Sequence, residues 1–405
     1  MKELWLFTMH YPFGVREAFL ENEIPVLCKR FDRVLVFPEN RSGAQRTMPP
    51  NAELRFLLDE PYSSATFPQL MRSMPSVLRL VRSLWRDTPS LAVLRKQWPT
   101  LRSSIAQFVR RADALQTDHM PRYDPDHVVA YAYWTHNWAT VLGLVQDRSP
   151  QLRFISRAHG FDVFDRENEN GWIPFRSYQL DHVSKIYCAS ESSQAYLKQR
   201  YPRKAGIIER ARLGSRDHGP GPYDPSGPLK VVSCSFLIPL KRVLRLVEAL
   251  ALVGQPVQWT HFGGGEEEDQ VRTAASRLPG HIKVDLRGMT PNDQIIAWYR
   301  THPVDVFVHV SRSEGGVPMA LQEAASFGIP LVAADAGGVR EIVGSRTGIL
   351  LGPDPSPGEI AEALEEFRSG PMASAEFRDG VRTVWKEGFE ANTVYERFVD
   401  RWIQH

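Results

Sequence analysis

Short apolar runs alternate with longer amphipathic stretches along the whole of the 405-residue chain. In the first half the runs ELWLFTMH, RVLVFP, HVVAYAYW, RFISRAH and KIYCAS are short and rich in β-branched and aromatic residues. That is the pattern of buried strands. A second series, KVVSCSFL, VQWTHFG, IKVDLRG, VDVFVHV and IPLVAAD, follows after Pro228. Strands alternating with helical patterns predict an α/β architecture with parallel sheets. Between the two series lies GSRDHGPGPYDPSGP, Gly214 to Pro228, with eight Gly or Pro among fifteen residues. Such a segment continues neither a helix nor a central strand. The expected organisation is an N-terminal domain over 1–213, a linker over 214–228, a C-terminal domain over 229–385 and a terminal helix over 386–405. Two domains also suit the length, since single cores stop growing near this size.

Charge narrows the partners. With 49 basic and 47 acidic residues the formal net charge is +2, which excludes a nucleic-acid-binding charge over the whole chain. The three cysteines, Cys28, Cys188 and Cys234, are odd in number and lack metal spacing, so they read as free thiols in a reducing compartment. The first residues, MKELWLFTMHYPFG, hold no apolar signal core, and no run approaches the roughly 18 apolar residues of a membrane span. The expected location is cytoplasmic, with peripheral association at the inner face of the membrane as an option. One stretch departs from the average. Met71 to Arg111 carries nine basic side chains against one acid, Asp87, with Trp85 and Trp98 interleaved. It reads either as a solvated helical face or as a surface for an anionic acceptor or membrane.

Five places could carry chemistry. In SEGGVPMALQEAASFGIP, Pro318 suits a helix start and Gly328 its end. Glu314 then sits in a strand-to-helix turn and Glu323 in the second helical turn. Gly315 and Gly316 let backbone N–H groups approach a ligand, and a helix N-terminus favours an anion. In SCSFLIPLKRVLRLVEALALVG a strand ends near Leu237 and a helix starts at Lys241 or Arg242. Two cations there oppose the helix dipole unless an anion binds or both extend into solvent. HFGGGEEEDQV offers Gly263 to Gly265 as a ligand-facing turn. In the first half, SRAHGFDVF puts His159 at a strand end, and Gly14 follows the first strand ahead of a helix expected near Arg16.

Taken together, SEGGVPMALQEAASFGIPLVAADAGGVREIV closely resembles the donor-site block of glycosyltransferase family 4, the retaining, nucleotide-sugar-dependent enzymes with the GT-B fold. SFLIPLKRV resembles the phosphate-binding turn of that domain, and SRAHGFDVF its N-terminal histidine segment. The resemblance implies an α/β fold of two Rossmann-like domains with parallel sheets facing across a cleft, and a C-terminal helix packed back on the N-terminal domain. It assigns Glu314, His159 and Lys241 to catalysis: Glu314 faces the donor sugar, His159 contacts the transferred sugar and Lys241 holds the diphosphate. It assigns Glu323 to the ribose hydroxyls, and Arg242, Gly315, Gly316, Val317, Pro318, Gly263 and Gly14 to donor binding. Two departures stand out: eight residues rather than seven separate Glu314 from Glu323, and Phe236 stands where the family often has an arginine.

The implied activity is transfer of a hexose from a nucleotide sugar to a glycan or lipid-linked acceptor, in cell-surface polysaccharide or glycoconjugate synthesis. No His/Cys cluster is present to hold a metal and no Asp-x-Asp triplet lies in the blocks quoted, so no metal and no other cofactor is expected, and no nucleic acid partner. A sugar-nucleotide epimerase of similar fold and a catalytically silent sugar-nucleotide-binding subunit are the alternatives.

Overall fold

The computed structural model describes residues 2–14 and 16–403. The chain divides into two compact units: one runs to Ala211 and includes the last residues from Val399, and the other is Arg212–Phe398. The first unit holds a sheet of seven strands, β1 (Glu3–Thr8), β2 (Arg33–Pro38), β3 (Ala52–Leu54), β4 (Val128–Ala132), β5 (Phe154–Ala158), β6 (Lys185–Cys188) and β7 (Ile208–Arg210). The second holds six, β8 (Leu229–Cys234), β9 (Val257–Phe262), β10 (Ile282–Leu286), β11 (Val306–His309), β12 (Leu331–Ala334) and β13 (Gly348–Leu351). The orders are β3-β2-β1-β4-β5-β6-β7 and β10-β9-β8-β11-β12-β13. Every pairing between neighbouring strands is parallel. Each sheet starts at an interior strand and reverses direction beside it, which is the doubly wound Rossmann-like order.

All ten apolar runs of the sequence form strands. The three strands not anticipated, β3, β7 and β13, are three or four residues long and lie at sheet edges. The three-residue β3 and β7 carry no readable period, whereas β13, GILL, is an apolar run that the sequence reading passed over. The core follows from strand alternation. In β8, Val231 packs toward the helices Val243–Leu250 and Pro357–Ser369, while Val232 turns to the opposite face, toward Asn292–Tyr299, Met319–Ser326 and Ala375–Phe389. Both faces of the second sheet are therefore covered, which is why its strands read as continuous apolar runs.

Helix starts deviate where the backbone turns left-handed. The first helix begins at Leu20 rather than near Arg16. Glu17 sits at φ 56°, and its carboxylate accepts the N–H groups of Met9 (3.2 Å), His10 (2.5 Å) and Tyr11 (2.6 Å) and the Trp134 indole N–H. The side chain pins the turn after β1, and a helix cannot start through it. This helix is tied to β5 by a fully buried pair: Arg157 donates to Glu23 (3.3 Å) and to the Tyr131 hydroxyl (2.8 Å).

The Gly/Pro-rich segment 214–228 is laid along the second unit, with Ser215 N–H donating to the Phe389 carbonyl and Gly221 N–H to the Phe327 carbonyl, both at 2.9 Å. The C-terminal region forms two helices, Ala375–Phe389 and Ala391–Ile403, broken at the extended residue Glu390. The Glu390 carboxylate accepts the backbone N–H groups of Asn392 (3.1 Å) and Thr393 (2.8 Å), capping the second of them. Trp402 at its far end packs its ring 5.6 Å from those of Phe31 and Tyr131 in the first unit. Positions 404 and 405 of the expected terminal helix lie outside the described residues.

Candidate functional site

In an open parallel sheet, the loops leaving the carboxyl ends of the two strands where the order reverses diverge and leave a crevice for ligands. In the second sheet those strands are β8 and β11. The loop after β8 leads to Lys241, and the loop after β11 carries Glu314. The two loops are tied by Arg312 N–H donating to the Leu240 carbonyl at 2.9 Å. Across them the Lys241 Nζ stands 2.5 Å from Glu314 Oε1, and His309 Nε2 stands 2.9 Å from the same oxygen. Burial alone would raise the Glu314 carboxyl, but the Lys241 ammonium and the bond from His309 outweigh it and hold the group at about 2. Glu314 is thus ionised at any working pH, and since a carboxylate only accepts, His309 carries its proton on Nε2.

His309 escaped the sequence reading. It is the last residue of β11 and is buried, and its partner lies five residues ahead in an irregular turn. The turn itself, Glu314 to Pro318, is held by a second pair of glycines. A Cβ on Gly337, at φ 56°, would stand 1.7 Å from the Glu314 carbonyl oxygen, and one on Gly338 would stand 2.6 Å from the Gly316 carbonyl carbon. Only hydrogen fits at either position, so the loop after β12 shapes the turn from behind. Val317 is buried among the apolar residues of that face, and Pro318 caps the helix Met319–Ser326.

Glu323 stands in the second turn of that helix and accepts a hydrogen bond from the Asn292 side-chain amide at 2.9 Å. No cation balances it among the described residues, and burial pushes its carboxyl up to about 7. The two glutamates therefore differ in kind. Glu314 is a fixed negative charge, whereas Glu323 titrates near neutrality.

Arg242 departs from its expected role. It sits at φ 53°, which delays the helix to Val243, and its side chain is turned inward. The guanidinium donates to the carbonyls of Val310 (2.7 Å), Ser311 (2.9 Å) and Pro353 (3.1 Å) and pairs with Asp354 at 2.5 Å. With those donors engaged inside the unit it braces the loops rather than offering a second cation to a diphosphate. Lys241 remains as the cation of this turn. Gly263 has a packing reason of its own: at φ 138°, a Cβ there would stand 1.8 Å from the Ser235 carbonyl oxygen. Phe236, on the neighbouring loop, is 56% exposed.

His159 and Gly14 belong to the first unit. Gly14 is at φ 64°, and a Cβ there would approach the Ser42 carbonyl oxygen at 3.1 Å. His159 follows β5 and is buried, with the rings of Trp134 at 4.2 Å and Tyr133 at 5.0 Å. Its Nδ1 lies 3.9 Å from Asp162 Oδ2, and neither ring nitrogen makes a hydrogen bond among the described residues. Asp162, another residue the sequence reading passed over, accepts the backbone N–H of His159 at 2.7 Å and of Thr135 at 3.0 Å. Burial opposes its charge, but the imidazole and N–H of His159 outweigh burial and lower its pKa. The same unit holds a cavity of about 460 Å³ bordered by Lys96, Thr100, Ser104, His136, Phe175 and Gln179. Among the described residues no group of three or more His, Cys, Asp or Glu is placed to hold a metal ion, and no helix is long and apolar enough to cross a membrane.

Comparison with known proteins agrees with this layout. Residues 223–383 match the family described as Glycosyl transferases group 1. The chain is 25% identical over 217 residues to "Putative colanic acid biosynthesis glycosyltransferase WcaL" of Escherichia coli K12, covering 52% of this chain and 53% of that protein. It is 25% identical over 149 residues to the amylovoran biosynthesis glycosyltransferase AmsK of Erwinia amylovora, covering 35% of this chain and 37% of the relative. The chain thus spans about half or less of the length of these curated relatives. Among solved structures, Anabaena Alr3699/HepE in complex with UDP superposes with a TM-score of 0.70 at 19% identity, covering 100% of both chains. The same Anabaena protein in complex with UDP-glucose gives 0.67 at 16%, covering 99% of this chain and 100% of the other. Residues 223–383 thus resemble the glycosyl transferases group 1 family, and the chain has the GT-B fold.

Proposed function

We propose that the chain is a retaining glycosyltransferase that moves a hexose from a nucleotide sugar to a glycan or lipid-linked acceptor in cell-surface polysaccharide or glycoconjugate synthesis. The observation that carries this reading is the Lys241–Glu314–His309 cluster at the switch point of the second sheet, inside the family match. The polysaccharide setting is supported by the names of the colanic acid and amylovoran relatives, and the nucleotide-sugar donor by the UDP and UDP-glucose complexes of Anabaena HepE.

On this reading Lys241 exchanges its pairing with Glu314 for the donor diphosphate and stabilises the charge that grows on it as the sugar leaves. Glu314 stays ionised against His309 and faces the sugar, where positive charge develops at the anomeric carbon. Glu323 receives the ribose hydroxyls. The acceptor hydroxyl attacks from the side the diphosphate leaves and gives its proton to the departing phosphate oxygen, so the configuration at the anomeric carbon is kept.

Incubation with a panel of nucleotide sugars, with and without glycan or lipid-linked acceptors, tests the proposal. Acceptor-dependent release of nucleoside diphosphate supports transfer. Conversion of the donor sugar without acceptor would point to an epimerase, and binding without turnover to a silent subunit. The charge stabilisation assigned to Lys241 also leads us to expect full transfer in EDTA. If chelation abolishes transfer and Mg²⁺ or Mn²⁺ restores it, the metal-free reading fails.

A further inference from the structure

The first unit carries an exposed face that the chemistry above does not use. In the helix Met74–Asp87, Leu80, Ser83 and Leu84 are buried against the core. Met74, Leu78 and Trp85 line the opposite edge, at the spacing that puts side chains on one stripe, and Leu78 and Trp85 are 62% and 59% exposed. The flanking helices expose apolar side chains as well. Phe67 and Met71 stand out from the helix before it, and Leu91 and Trp98 from the helix Leu91–Asp118 after it.

The charge on this face is one-sided. Residues 67–102 hold seven cations and one carboxylate, Asp87, which is turned inward and accepts from the backbone N–H of Ser177 at 2.9 Å. Arg79 and Arg86 pair with Asp147 and Asp181. Arg72, Arg82, Arg95, Lys96 and Arg102 are exposed or nearly so and form no ion pair among the described residues.

An exposed apolar stripe along a helix signals a partner, and the unpaired cations say which kind. A polyanion such as nucleic acid would pair the arginines but leave Leu78 and Met74 in water. A second copy of this chain, meeting the same face about a two-fold axis, would bury the stripe by setting unpaired cations against their equals. An anionic lipid surface satisfies both halves, because acyl boundary and phosphate lie within one side-chain length of each other and indoles favour that depth.

We propose that the face built by residues 67–102 docks on an anionic lipid bilayer, with Met74, Leu78 and Trp85 entering the acyl boundary and Arg72, Arg82, Arg95 and Arg102 engaging lipid phosphates. The inference stands independently of the transfer reaction. It is tested by flotation of the full chain with phosphatidylcholine vesicles made with and without phosphatidylglycerol. The chain is expected to float with the anionic vesicles at low salt, to release as salt rises, and to stay behind with the neutral ones. Each cation near such a leaflet contributes roughly fivefold, so the Arg72→Gln, Arg82→Gln, Arg95→Gln triple variant should bind about a hundredfold more weakly. Leu78→Ser with Trp85→Ser should lose the binding that survives moderate salt. All five positions are exposed, and an unchanged melting temperature confirms that the variants fold. Absence of flotation with anionic vesicles, or a triple variant that floats like the parent, overturns the proposal. So does a parent dimer that Leu78→Ser with Trp85→Ser splits, which would give the face to a second copy.

Discussion

Glu314→Gln is expected to lower kcat by about a hundredfold or more while leaving the donor KM unchanged or lower, as for other preorganised electrostatic contacts. The amide keeps the size of the side chain but removes the charge that Lys241 and His309 hold ionised. That charge matters most once the anomeric carbon becomes positive, so its loss falls on the transition state. Lys241, released from its partner, is then freer to hold the diphosphate in the ground state, which is why KM should not rise. Glu323→Gln should do the reverse, raising KM with kcat nearly kept, because ribose contacts persist from ground to transition state. Steady-state kinetics on the two variants, beside an equilibrium titration with the nucleoside diphosphate, separate these effects. Near-normal kcat in Glu314→Gln together with its abolition in Glu323→Gln would mean that the lengthened turn between them has exchanged their roles.

Much of the fold was readable because buried parallel strands announce themselves. Val231, Val232, Val306 and Phe307 are apolar whichever way they point, since both sheet faces are covered. The edge strands at Ala52 and Ile208 were not readable, because three residues supply backbone pairing without an apolar run, whereas GILL at Gly348 offered one that was passed over. The site divided in the same way. Lys241, Glu314 and Glu323 could be placed from the strand–turn–helix grammar around them. Arg242 misled because adjacency in sequence was taken for adjacency of charge, whereas one left-handed residue turns its side chain into the carbonyls of Val310 and Ser311. His309 and Asp162 were passed over for a related reason. Each gains its role from partners on irregular turns, and sequence periodicity does not report turns. Gly337 and Gly338 lay within the quoted block, yet only the approach of the Glu314 and Gly316 backbone shows what they are for.

Glu323 links the site to the stability of the unit that holds it. Its folded pKa is raised to about 7 from an ordinary 4.5, so between those values the folded chain binds a proton that the unfolded chain has lost. Stability from this group is fully present below about pH 4.5 and is lost as pH rises through about 7. The loss amounts to at most about 3 kcal/mol, and water reaching the partly exposed carboxylate reduces it further. Glu323→Gln removes the buried charge and keeps the shape. The variant should therefore melt like the parent near pH 4.5 and several degrees higher near pH 8, at roughly 2–4 °C per kcal/mol. Nucleotide binding should reverse the balance in the parent alone, since hydroxyl donors favour the carboxylate and drive its proton off. Calorimetric titration near pH 6.5 in buffers of different ionisation enthalpy should then show proton release in the parent and none in Glu323→Gln. A variant no more stable than the parent at pH 8, with proton release intact, would place the titrating group elsewhere and detach Glu323 from the ribose.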